Sequence, residues 1–254
     1  MLQSYCKAKD ILKLSNTGIK YGLIAAGQGS RLLAEGIKVP KPLVKVNGEE
    51  LIGRLLRVFQ ENDAESICII INEEMPAVRA YLESYRLSVP LHLVVKSTPD
   101  SFHSFCELMP YLREGGGKFC LTTVDPVFRE TEFKEYIRYF VQDDEDDALM
   151  GVTDYIDDEK PLYVMTEPDT LKVTGYVDKA YDGYRYISGG VYCMNQKALA
   201  LLPKAMQEGV SRMRGFQRYL VESGLRVKAW PFGKIIDIDH AEDISKAERF
   251  MKGL

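Results

Sequence analysis

Residues 22–52 read GLIAAGQGSRLLAEGIKVPKPLVKVNGEELI, and this stretch decides the fold. An apolar run from Leu23 to Ala26 ends in the turn Gly27-Gln28-Gly29-Ser30, with Arg31 directly after it and Lys41, between Pro40 and Pro42, ten residues further on. A short strand feeding a glycine turn lets backbone N–H groups approach a phosphate closely, because glycine has no Cβ in the way. The fixed charges of Arg31 and Lys41 then stabilise a phosphate chain from the sides. The pattern predicts a triphosphate site. Two commoner glycine motifs fail: Gly22 and Gly27 have P-loop spacing, but Gln28-Gly29 stands where Lys-Ser/Thr is needed, and Leu32 occupies the third glycine of a dinucleotide fingerprint.

Working outward, 254 residues suit one α/β domain with at most a small lobe, and 46% hydrophobic content supports a real core. The net charge of −4 excludes a general nucleic-acid field. Cys6, Cys68, Cys106, Cys120 and Cys193 show no C-x-x-C spacing and no histidine partner, so reduced structural thiols are expected and no zinc site. No apolar run is long enough for a membrane span, and Lys7, Lys9, Asp10 and Lys13 interrupt any signal-peptide core. A cytoplasmic protein is expected, with residues 1–19 as an N-terminal extension (a packing helix or an interaction arm) and 20–254 as a single domain. No second acyltransferase or repeat domain is expected within this length.

Strands and helices alternate through the first half: strands at 20–25, 66–71, 91–95 and 118–123, helices at 49–62, 75–86 and 101–113. Such alternation predicts βαβ units and a mostly parallel sheet. The second half holds strand candidates at 147–153, 161–165, 171–178 and 185–193, which suggests an antiparallel or mixed extension. Helices at 195–207, 212–223 and 240–252, with strands at 226–229 and 234–238, close the chain. The acidic run Asp143–Asp147 and the triplet Asp157-Asp158-Glu159 are expected as solvated loops.

Ligands in open α/β sheets bind at the carboxyl ends of strands. Two predicted strands end in carboxylates, Lys118–Asp125 and Lys234–Asp237. Magnesium on a triphosphate needs one or two protein carboxylates besides phosphate and water oxygens. Asp237 and Asp239 lie two apart on a strand and can share a face. Asp239 with Glu242 also fits a helix capping box, so Asp237 is favoured as the ligand, with Asp239 capping or assisting. Thr98 and Pro99 read as the N-cap and first residue of the helix at 101–113.

These pieces together resemble the sugar-1-phosphate nucleotidyltransferases, which make nucleoside-diphosphate sugars. The family signature A-A-G-x-G-[ST]-R-L, P-K-P-L, V-x-G is met by Ala25–Leu32, Pro40–Leu43 and Val46–Gly48. The resemblance covers about residues 20 to 250. It implies a three-layer α/β sandwich around a mostly parallel mixed sheet, of the Rossmann-like nucleotide-diphospho-sugar transferase architecture. It also implies an NTP and a phosphorylated small-molecule acceptor as partners, with no nucleic acid or membrane and an oligomer possible.

Under the resemblance Arg31 and Lys41 are catalytic, and Ala25, Ala26, Gly27, Gln28, Gly29, Ser30, Thr98 and Ser101 hold the nucleotide. Asp125, Asp237 and Asp239 bind Mg2+, and Lys179, Ser188, Gly189 and Gly190 hold the acceptor. The chain departs from the family in having Val124 where glycine commonly precedes the first metal aspartate, and Asp178-Lys179 for the usual Glu-Lys. The acceptor phosphate is itself an anionic nucleophile, so catalysis is expected to rest on positioning and charge stabilisation, with in-line attack on the α-phosphorus and loss of pyrophosphate. His92, His103 and His240 are expected to be structural. The nearest rival is a CTP-dependent enzyme for choline or inositol phosphate. Rivals of other classes are a nucleotide-sugar glycosyltransferase, whose Asp-x-Asp motif ends a mid-chain strand, and a nucleotide sensor without turnover.

Overall fold

The structure is a computed structural model and describes residues 18–253. The expectations for residues 1–17, Cys6 included, lie outside the described residues. Strand β1 (Ile19–Ala25) is buried along its whole length, as its apolar sequence requires of a strand covered on both faces. It pairs in parallel with β4 (Ala64–Ile71) on one side and β6 (Phe119–Thr123) on the other, and β4 pairs in parallel with β5 (Leu91–Val95). Beyond β6 the sheet turns mixed. β11 (Tyr186–Met194) runs antiparallel to β6, to β8 (Ala148–Thr153) and to β9 (Tyr163–Thr166). β10 (Val173–Val177) and β12 (Val227–Phe232) complete nine strands. Two short ladders lie off this sheet, β2 (Lys45–Val46) with β3 (Glu49–Glu50), and β7 (Pro126–Val127) with β13 (Ile236–Asp237).

The period of two in the central strands divides the core into two layers. Tyr21, Leu23, Ile67, Ile69 and Ile71 face α2 (Leu51–Gln60), α5 (Glu130–Gln142) and α8 (Ala241–Met251), while Ile24, Cys68 and Ile70 face α4 (Ser101–Arg113), α6 (Gln196–Gln207) and α7 (Arg212–Glu222). Two further helices, α1 (Ser30–Ala34) and α3 (Pro76–Ser84), follow β1 and β4. This is the three-layer α/β sandwich expected, with the mixed extension in the second half. Among the described residues no helix is long and apolar enough to cross a membrane.

Three sequence expectations are corrected. Residues 130–142 carried no assigned element, yet Phe133, Tyr136, Ile137 and Phe140 are buried at helical spacing and form α5. Asp147 is not solvated: it is buried, and its carboxylate accepts from Asn195 Nδ2 (3.1 Å), Lys197 Nζ (2.8 Å) and Arg226 N (3.0 Å), tying β8 to α6 and β12. The N-cap of α4 is Asp100 rather than Thr98, with the Asp100 side chain accepting from the backbone N–H groups of Phe102 and His103.

His92 stacks on Tyr111 with ring centroids 4.8 Å apart, and His103 Nδ1 meets Asp100 Oδ2 at 3.0 Å.

Candidate active site

The glycine turn sits at the carboxyl end of β1 and opens α1. Gly29 adopts a left-handed conformation (φ 63°, ψ 39°), and a Cβ built on it would lie 2.8 Å from Lys41 Cβ. The Gly29 backbone thus packs directly on Lys41, which sits in the one-turn helix Lys41–Leu43 after Pro40 and is 7% exposed. Lys41 Nζ donates to Asp125 Oδ2 at 2.6 Å and to Asp239 Oδ1 at 2.7 Å, while Arg31 Nη1 donates to Asp239 Oδ2 at 2.9 Å. Residues separated by up to 208 positions therefore form one charged network.

Burial works against the Lys41 ammonium, but the charges of Asp125 and Asp239 outweigh it and raise its pKa above the ordinary lysine value. At Asp125 burial pushes upward, and Lys41 together with hydrogen bonding overcomes it, so its carboxyl lies below the usual range. Asp237 behaves in the opposite way. Burial and then the neighbouring Asp125 charge push its carboxyl well above the usual range, and its Oδ1 is shielded from solvent without a hydrogen-bond partner.

The ladder of β13 on β7 sets this arrangement: Asp237 pairs with Pro126, and Ile238 N donates to Asp125 O at 3.2 Å. The bulge in β11 assists it. The register shifts between Ser188 and Tyr192, Gly190 has a φ of 74°, and a Cβ on Gly189 would collide with Ile235.

Asp239 does not cap α8. His240 is the N-cap, and Asp243 rather than Glu242 closes the cap, accepting from His240 N (2.7 Å) and Asp239 N (3.1 Å). The Asp239 carboxylate is left to Arg31 and Lys41.

Two cavities meet at this network. The larger, about 780 Å3, is lined by Ala26 through Arg31, Lys41, Thr98, Ser101, Asp125 and Asp239. The smaller, about 50 Å3, is lined by Ser188, Gly189, Tyr155, Asp237 and Asp243. Arg31 and Asp239 border both. The structure thus brings together most residues singled out from the sequence. Ala25 is buried within β1 and lines neither cavity, and Gly190 faces Thr123 and Pro126. Lys179 is exposed after β10 and borders neither cavity, while Asp178 is held by Arg214 (2.9 Å) and Arg218 (2.7 Å).

Sequence reasoning missed Asn72, Asp100, Ser104 and Arg212, all in the larger cavity; Asn72 directly follows the apolar run 66–71, where a strand-end rule would have found it. Asp157, Asp158 and Glu159 are exposed, as the sequence suggested, and also line the smaller cavity. His240 bridges its rim, with Nδ1 2.6 Å from Glu35 Oε1 and Nε2 3.6 Å from Glu159 Oε1.

A glycine turn at a strand end, the buried Lys41 and the exposed Arg31, both paired with carboxylates between two cavities, suit a transfer between phosphates. Comparison with known proteins agrees, since the MobA-like NTP transferase domain matches residues 22–215. The chain belongs to this nucleotidyltransferase family. It is similar to the bifunctional IPC transferase and DIPP synthase of Aquifex aeolicus, 22% identical over 240 residues, covering 90% of this chain and 51% of that one. It is also similar to the probable mannose-1-phosphate guanylyltransferase 1 of Oryza sativa subsp. japonica, 24% identical over 229 residues, covering 87% and 61%. The chain therefore spans only about half to three-fifths of the length of these relatives.

Among solved structures it is similar to the inositol-1-phosphate CTP transferase from T. maritima (TM-score 0.76, 23% identity, 93% and 96% of the two chains). A putative glucose-1-phosphate thymidylyltransferase from Bacillus anthracis has a TM-score of 0.80 at 17% identity over the same shares. At these identities the likeness establishes the fold.

Proposed function

We propose that this domain transfers a nucleoside monophosphate from an NTP to a sugar-1-phosphate, releasing pyrophosphate and giving a nucleoside-diphosphate sugar. The observation that carries the reading is the meeting of the two cavities at Arg31 and Asp239, with Lys41 and Asp125 alongside. The triphosphate lies along the turn Ala26–Ser30 in the larger cavity, and the phosphate end of the acceptor enters the smaller one past Ser188 and Gly189. Arg31 and Lys41 stabilise the charge that accumulates on the polyphosphate as the acceptor oxygen attacks the α-phosphorus in line. No residue need remove a proton from the acceptor, because its phosphate is already ionised.

Mg2+ would be held by Asp125 and Asp237, with Asp239 at their side, and when bound would supply charge neutralisation for the triphosphate. The hard oxygen donors and the orphaned Asp237 Oδ1 suit such an ion. Lys179 is a candidate for the acceptor only through the loop that carries it.

A second reading is CTP-dependent transfer to a phosphorylated alcohol. It is supported by the T. maritima protein, whose structure is described as that of an inositol-1-phosphate CTP transferase. The test is Mg-dependent pyrophosphate release from four NTPs, each crossed with sugar-1-phosphates and with choline and inositol phosphates. One active pair, lost in Asp125→Ala and Lys41→Ala, would support nucleotidyl transfer and name both substrates. A folded protein that binds no NTP would refute it.

A further inference from the structure

Arg31 borders both cavities, yet little of its own helix holds it there. α1 has five residues, of which only Leu32 is buried, and its N-cap Gly29 offers no side chain to the first turn. So short a helix is not stable by itself, because its few hydrogen bonds do not offset the entropy of ordering the chain. Gly29 packs on Lys41 at one end of the turn. The other end closes at Glu35, whose N–H donates to Arg31 O at 3.0 Å.

The Glu35 side chain reaches across to the start of α8. Its Oε2 accepts from Ala241 N and its Oε1 meets His240 Nδ1, both at 2.6 Å. The bond from Ala241 N occupies one of the backbone donors that the first turn of a helix leaves unpaired, and the helix dipole favours a carboxylate at that end. The two helices do not need the contact equally. α8 has 11 residues, buries Ala247 and Phe250, and carries its own cap through Asp243. α1 has no such support. The first turn of α8 also follows closely on Asp239, whose carboxylate accepts from Arg31 Nη1 at 2.9 Å. Arg31 and Glu35 thus clasp Asp239 and Ala241 from one helical turn.

We propose that Glu35 is a positioning residue that fixes Arg31 at the junction of the two cavities. Glu35 lines neither cavity and acts through the turn it shares with Arg31. Its tie to α8 orders that turn before a nucleotide arrives, so binding does not have to meet the entropy of ordering the arginine. The role rests on the nucleotidyltransferase reading, in which Arg31 stabilises the polyphosphate.

The test is a double-mutant cycle on nucleotide affinity. CTP, UTP, ATP and GTP are titrated calorimetrically, with Mg2+ and without acceptor, into the wild type, Glu35→Ala, Glu35→Gln, Arg31→Ala and the double variant Arg31→Ala/Glu35→Ala. Melting temperatures are recorded for each. For the nucleotide that the wild type binds most tightly, Arg31→Ala should weaken binding about ten- to a hundredfold, the loss of a charge-assisted hydrogen bond. Glu35→Ala should weaken it about three- to tenfold, the range for ordering one long side chain on binding. Glu35→Gln keeps an oxygen for Ala241 N and should stay within about twofold of the wild type. In the Arg31→Ala background Glu35→Ala should change affinity by less than about twofold, because the side chain it positions is gone. A residue that only capped α8 would instead lower the melting temperature and multiply its effect with that of Arg31→Ala. Effects that multiply, or a Glu35→Ala protein with wild-type affinity, would overturn the proposal. So would a Glu35→Gln protein as weakened as Glu35→Ala, since the effect would then belong to the charge and not to the tie. A folded wild type that binds no NTP would overturn the nucleotidyltransferase reading, and this role with it.

Discussion

Gly27 and Gly29 look interchangeable in the turn Gly27-Gln28-Gly29-Ser30, yet the structure separates them. Gly29 has a φ of 63°, and a Cβ there would lie 2.8 Å from Lys41 Cβ, closer than such carbons pack. Gly27 has no positive φ, and a Cβ there would meet nothing within 4 Å. Left-handed backbone costs an alanine about 1–2 kcal/mol, and forcing a methyl group into occupied space costs about 1–3 kcal/mol. Gly29→Ala should therefore destabilise the domain by about 2–5 kcal/mol, a large share of the roughly 5–15 kcal/mol typical of native proteins. For a chain of this size that lowers the melting temperature by roughly 4–20 °C. Gly27→Ala should stay within about 0.5 kcal/mol of the wild type.

The clash falls on the near end of the Lys41 side chain, so Lys41 and its contacts to Asp125 and Asp239 must shift with it. NTP affinity should fall in Gly29→Ala beyond what partial unfolding explains. Differential scanning calorimetry on both variants, followed by NTP titration below each transition, separates the two effects. Equal melting temperatures for Gly27→Ala and Gly29→Ala would refute the reasoning, because the turn would then relax without moving Lys41.

Two other substitutions test the electrostatics. At Asp147 the pull of burial toward protonation is outweighed by Lys197, Arg226 N and Asn195, so its pKa lies below the ordinary 3.8. Its stabilisation is then complete above about pH 4 and is lost as the pH falls through the lower folded value. Asp147→Asn should cost about 1.5–3 kcal/mol at pH 7, and the melting curves of variant and wild type should converge in acid; a gap that does not change with pH would contradict this. At Asp237 the raised pKa has the opposite sign, so the ionised carboxyl destabilises the metal-free fold as the pH rises. Asp237→Asn should melt about 2–4 °C or more above the wild type at pH 8 without Mg2+ and lose activity, a trade common at functional sites; a lower melting temperature would argue against an unpaired charge there.

The parts of the fold legible in the sequence were those coded locally. The run Leu23–Ala26 before Gly27, the apolar strand at 66–71 and the helical spacing of 101–113 each carry their own periodicity. Helix α5 was overlooked because its buried Phe133 and Tyr136 alternate with Glu130, Glu132, Lys134 and Glu135 in a stretch bounded by no strong cap. The site was half legible for the same reason. Arg31 and Lys41 announce themselves by spacing, but nothing local distinguishes Asp147, a buried anchor, from Asp144, which is exposed. Nor does anything local bring Asp157 or Glu159 to the rim beside His240, since that contact depends on how the 154–162 loop crosses the start of α8. The capping box shows how narrow the margin is. Glu242 and Asp243 are adjacent acids, and only the actual N-cap, His240 rather than Asp239, decides which of them closes it.

That one-residue shift governs the electrostatics of the whole site. Were Asp239 a cap, its carboxylate would be spent on backbone N–H groups; instead it shares Lys41 with Asp125 and also takes Arg31. Two cations and two carboxylates therefore balance, and Asp237 is the surplus acid, whose ionisation burial and the Asp125 charge oppose. If the turn holds a triphosphate as proposed, its oxygens would draw Arg31 and Lys41 away and so unbalance the remaining carboxylates, which would then favour a divalent cation. Nucleotide and Mg2+ should bind with positive coupling, typically about 1–3 kcal/mol, or five- to 150-fold, and by linkage each should raise the affinity of the other by the same factor. Free nucleotide also binds Mg2+, so the informative quantity is the change caused by one side chain. NTP affinity should be measured with and without Mg2+ in the wild type and in Asp237→Asn. The Mg2+-dependent gain should shrink by about tenfold in the variant, while affinity without Mg2+ should hold steady or rise. A gain of the same size in both proteins would show that Asp237 takes no part in holding the cation, and that the site balances its charge by another route.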